Sequence, residues 1–197
     1  MPRLIRYTDQ PSMQWKNGGG STVELLTSPE GAALADFDFR ISVATVSKDG
    51  PFSLFPGVDR TLALVEGAGL TLHFDTGRKV VVDPSHPVAT FPGEAVIHAT
   101  VNGRATMDFN VMTQRSCYRH TLEVYEGGSC IYQPQGDITL LFHAGGGKLM
   151  AGKLGIPPTM LYEYDMLVLD PGVEIATFGI RVTFFIIELY QDACTVS

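Results

Sequence analysis

Short runs of Val, Ile, Leu, Thr and Phe, broken every few residues by glycine or proline, recur along the whole chain, and helical spacing of apolar positions is nearly absent. Alternating burial with β-branched and aromatic enrichment predicts strands. Strands are expected at 39–46, 61–66, 69–74, 79–82, 95–100 and 106–112, and again at 121–125, 138–143, 166–169 and 182–189. Only 29–36 and 157–164 read as short helices. The pattern is that of an all-β sandwich or barrel.

The two halves echo each other. The segment beginning at Ala63 resembles that beginning at Leu141, Pro92-Gly93 resembles Pro171-Gly172, and the Met107 strand lies near the register of the Thr183 strand, at offsets of 78, 79 and 76 residues. A strand, a Gly-rich hairpin, a Pro-Gly turn and a closing strand recur in order. This predicts an all-β double-stranded β-helix (jelly roll) made of two cupin-type lobes, 1–115 and 116–197, the second tightly packed on the first. Jelly rolls of this kind protect their sheet edges. Where the first lobe has Asp108-Phe109-Asn110, the second offers Phe184-Phe185-Ile186, so the first lobe is expected to carry the pocket and the second to supply packing.

Composition narrows the partners. The 197 residues are 45% hydrophobic and 18% charged, with a net charge of −7 and no long basic cluster, which argues against nucleic acid or an anionic membrane. No apolar run approaches a membrane helix, and the N-terminal residues lack a signal-peptide core. Cys117, Cys130 and Cys194 are odd in number and without metal-type spacing, which fits a reducing cytoplasm.

Polar groups misplaced among strand formers mark the candidate chemistry. Arg40 sits inside Phe39-Arg40-Ile41-Ser42-Val43, where an unpaired charge would cost several kcal/mol, so it must reach a partner or a wet cavity. Three more segments share the anomaly: Trp15-Lys16-Asn17-Gly18-Gly19-Gly20, the run from Phe52 through Phe55 to Asp59-Arg60, and Met107-Asp108-Phe109-Asn110-Val111-Met112. Strand alternation puts Asp108, Asn110 and Met112 on one face. An apolar pocket with a few convergent polar groups accounts for all four. Its expected lining is Trp15, Lys16, Asn17, Gly18, Arg40, Ser42, Phe52, Phe55, Arg60, Asp108 and Asn110, with the arginines suited to a carboxylate. Plainer readings stand beside this one: the glycines as a simple turn, Trp15, Phe52 and Phe55 as core, Arg40 as the partner of Asp38, Asp59 or Asp108, and Arg60 as a solvent-facing arginine.

Metal and cofactor signatures are missing. The hairpin strand around His73 has one histidine and no His-x-His pair, His98 is followed by Asn102, and two histidines do not suffice for a transition metal. No nucleophile elbow, Walker-type loop or dinucleotide fingerprint occurs, and Gly145-Gly146-Gly147-Lys148 reads as a hairpin tip. Neither metal nor cofactor is expected.

Taken together, the four segments resemble the HutD/Ves family of RmlC-like bicupins. The resemblance is specific over about the first 115 residues and architectural beyond them, and Phe39 stands where the family usually has tryptophan. It implies a metal-free protein, often dimeric, that binds a histidine-degradation intermediate such as N-formylglutamate or urocanate and modulates histidine utilisation. Two alternatives accompany this. One is a metal-independent cupin isomerase or lyase with Lys16 or His98 as base. The other is a stress-related protein with a vestigial pocket. The expected partner is a small anionic metabolite, with a homodimer possible.

Overall fold

The computed structural model describes residues 2–127 and 129–192, and Cys194 lies outside them. Among these residues there is no α-helix, only a 3₁₀ turn at Tyr7–Asp9. The expected helices are absent. Residues 29–36 form successive turns, and 157–164 contain a short strand, Thr159–Leu161, followed by another turn. Closely set proline and glycine leave both stretches too little room for a stable helical nucleus.

The chain divides into two compact units, each described by itself. The first spans Pro11–Tyr118. Numbering strands in chain order, its large sheet runs β2 (Ser12–Gln14), β3 (Gly20–Ser28), β4 (Phe39–Val46), β11 (Thr106–Gln114), β6 (Val58–Glu66) and β9 (Val88–Pro92). Its small sheet runs β5 (Gly50–Pro51), β10 (Ile97–Val101), β7 (Leu70–Phe74) and β8 (Lys79–Val82). Pairing is antiparallel throughout this unit. The core lies between the sheets, with Val46, Leu62 and Phe91 from the large one meeting Leu70, Leu72 and Ile97 from the small one. Burying each such side chain contributes about 1.5–3 kcal/mol.

The second unit comprises residues 2–10 with Arg119–Gln191. Its large sheet runs β1 (Arg3–Ile5), β17 (Met166–Leu169), β14 (Ile138–Gly146), β19 (Val182–Gln191) and β12 (Tyr118–Glu126). Its small sheet runs β13 (Ile131–Tyr132), β18 (Ile175–Gly179), β15 (Leu149–Lys153) and β16 (Thr159–Leu161). Residues 2–10 therefore fold with the C-terminal half, because β1 pairs with β17.

Every strand from β4 to β11 has a counterpart eight strands later in the same sheet position, so the fold is a duplicated jelly roll. Even the irregularity recurs. The β6–β11 ladder has a bulge between Leu64 and Glu66, and the β14–β19 ladder has one between His143 and Gly145. No helix of the described residues is long and apolar enough to cross a membrane.

Candidate functional site

Three rungs across the large sheet of the first unit carry the polar groups. One joins Arg40, Met112, Arg60 and Phe91, the next Glu24, Ser42, Asn110 and Leu62, and the third Thr22, Ala44, Asp108 and Leu64. Residues paired across a ladder share a face, and successive rungs lie about 6–7 Å apart along the strands. Leu62 and Leu64 belong to the core between the sheets, so these polar residues face that core.

Each charge has a distinct surrounding. Arg40, 7% exposed, donates through Nε to Glu24 Oε2 at 2.7 Å and through Nη1 to Ser42 Oγ at 3.4 Å. Its acidic partner is thus Glu24, not Asp38, Asp59 or Asp108. Asp59 instead accepts from Arg115, which also holds Glu94. Arg60 lies over the rings of Phe52, Phe91 and Phe55, with its guanidinium carbon 4.8, 5.4 and 5.9 Å from their centroids. Its Nη2 donates to Asn110 Oδ1 at 3.0 Å, while its Nε is buried without a partner among the described residues. Burial, then the like charge of Arg40, lowers Arg60 to about 10, against the opposing pull of Asp108.

Asp108 is fully buried, and neither carboxyl oxygen has a hydrogen-bond partner among the described residues. Burial pushes its carboxyl up to about 7, with Arg60 pulling the other way. Native interiors rarely tolerate such an orphaned group, because the desolvation penalty is not offset.

Backbone features hold the aromatic wall. Phe52 and Phe55 are anchored by N–H donation to the carbonyls of Ile97 and Gly93. The chain then turns at Gly57, whose φ of +77° disfavours any side chain.

The structure thus brings together Arg40, Ser42, Phe52, Phe55, Arg60, Asp108 and Asn110. Trp15 packs partly buried against the same core and donates from Nε1 to Thr22 Oγ1 at 2.8 Å, in the Asp108 rung. Lys16, Asn17 and Gly18 are set apart, in the exposed turn between β2 and β3. That turn abuts the Val46 end of β4, whereas Arg40 lies at its other end, about 20 Å along the strand. Asn17 Oδ1 accepts from Gly19 N–H, and Gly18 at φ +64° closes the hairpin. This is a turn stabilised by an Asn side chain, and its glycines serve the backbone conformation. Two residues of the cluster, Glu24 and Phe91, were not anticipated. The only signal for Glu24 is its polar position within an alternating strand.

His73 and His98 pair directly across β7 and β10, and His73 Nε2 is 2.8 Å from Thr100 Oγ1. Among the described residues no group of three or more His, Cys, Asp or Glu side chains is placed to hold a metal ion.

The family model HutD matches residues 7–181. An uncharacterised 21.2 kDa protein in the hutC 3′ region of Pseudomonas putida is 32% identical over 192 residues, covering 95% of this chain and 96% of that protein. Protein Ves of Citrobacter koseri is 32% identical over 149 residues, 74% of this chain and 76% of its own. The solved structure of HutD from Pseudomonas fluorescens SBW25 superposes with a TM-score of 0.83 at 26% identity, covering 98% of this chain and 100% of that one.

Proposed function

From the premise that the chain belongs to the HutD family, we propose that it binds a small carboxylate, a histidine-degradation intermediate such as N-formylglutamate or urocanate, and thereby modulates histidine utilisation. One observation carries the reading: Arg60 Nε and both Asp108 oxygens are buried without partners on one face of the same sheet. A carboxylate accepts in plane from a guanidinium edge, and an amide or imidazole N–H donates to a carboxyl oxygen. A ligand offering both groups satisfies Arg60 Nε and one Asp108 oxygen at once. Cation–π contacts with the three phenylalanine rings hold the guanidinium in place for that contact. The location of the P. putida relative beside hutC supports the pathway assignment. A homodimer belongs to the same proposal and is read by sedimentation.

Thermal shift and calorimetry with N-formylglutamate and urocanate test the reading. Melting is expected to rise with ligand, by a stabilisation of about 2.7 kcal/mol at a hundredfold excess over Kd. Arg60→Gln is expected to weaken binding about thirtyfold or more. No response to any small carboxylate would refute it.

A further inference from the structure

The charges inside the first unit are partly matched before any ligand arrives. Arg40 is already held by Glu24 at 2.7 Å, and its Nη1 is taken by Ser42. Glu24 stands at the rim, its side chain 30% exposed against 9% for Arg40. It comes from β3, which extends the large sheet beyond β4; the second unit's sheet ends at β12, the counterpart of β4. Arg60 has no acidic side chain within ion-pair distance among the described residues; its only hydrogen bond is to the neutral Asn110 amide. Asp108 faces the same interior with no donor. Its carboxyl, raised to about 7 by burial, is close to half-protonated at neutrality. Thr22, Ala44 and Leu64, the residues beside Asp108 in its rung, bring no further charge.

Two guanidinium groups are therefore set against Glu24 and a partly protonated Asp108. The net charge available to a ligand is one with Asp108 protonated and zero with it ionised, in neither case enough for two carboxylates. A second ligand carboxylate would have to seat beside Arg40 against Glu24, and like charges in a poorly hydrated site repel far more than in water.

We propose that Glu24 is a specificity-determining residue: by neutralising Arg40 from the rim, it restricts the ligand to a single carboxylate. This rests on the carboxylate-binding reading above and deepens it, favouring the mono-anionic member of the two ligands named there. Removing the Glu24 charge turns the interior into a site for a dianion.

The experiment measures affinities of propionate, succinate and glutarate by calorimetry at neutral pH, on the full chain and on Glu24→Gln. Glutamine keeps the shape and still accepts from Arg40 Nε through its amide oxygen. The wild type is expected to prefer propionate, and Glu24→Gln to raise the succinate-to-propionate affinity ratio about tenfold. If circular dichroism shows that the glutamine variant fails to fold, Glu24→Thr, a good strand former, is read in its place with the same expectation. An unchanged ratio, with binding still present and abolished by Arg60→Gln, overturns the role of Glu24 and leaves the carboxylate reading standing. No binding of any of the three acids, nor of urocanate, to any variant overturns both.

Discussion

The two units use one strand order for opposite ends, and their buried carboxylates show the difference. The matching bulges align Leu64 with His143, so Arg60 corresponds to Thr139, Asp108 to Phe184, Asn110 to Ile186 and Met112 to Glu188. In the second unit, Glu188 accepts from Tyr132 Oη, Gln135 N, Gly136 N and Thr139 Oγ1. In the first, Asp108 accepts from nothing among the described residues. A buried carboxylate with four donors is an internal strut; one with none is a cost that a ligand can relieve. Burial alone does not distinguish a site from a scaffold. These two carboxylates differ in their donors, four against none among the described residues.

The strongest way to break this comparison is Glu188→Ala, which strands four donors. Urea denaturation is expected to show a loss of about 3–5 kcal/mol, and a loss near zero would mean that Glu188 is no strut. Asp108→Asn is expected to act in the opposite direction. The folded-state pKa of Asp108 lies above its unfolded value, from 3.8 to about 7. The folded protein therefore binds the extra proton, and stability falls as pH rises through that window. The variant escapes this penalty. It should exceed the wild type by about 2–4 kcal/mol above the window and match it below pH 4. A difference that does not vary with pH would show that Asp108 has donors after all. The smallest effect sharpens where the site ends. Lys16→Ala, in the exposed turn, is expected to change carboxylate affinity less than about twofold, as calorimetry would register.

Much of this was legible beforehand, for physical reasons. Period-two alternation is local, so the face shared by Asp108 and Asn110 follows from their spacing alone. Arg40 and Arg60 draw notice because a charge among strand formers is costly wherever it sits. The duplication is legible through its Gly-rich and Pro-Gly turns. Other features depend on register between distant strands. Glu24 reads as an ordinary polar residue of an alternating strand, and only the β3–β4 pairing brings it to Arg40. The placement of β1 against β17 is equally non-local. The run from Lys16 to Gly20 is ambiguous for another reason: glycines that admit a ligand and glycines that close a hairpin are the same letters.

Trp15 is the sole tryptophan of the chain, and its indole N–H is tied to Thr22, in line with Asp108. The protein consequently carries a tryptophan probe in one repeat and none in the other. Its emission, excited beyond the tyrosine band, monitors the polar interior without a label and is silent about the unit braced by Glu188.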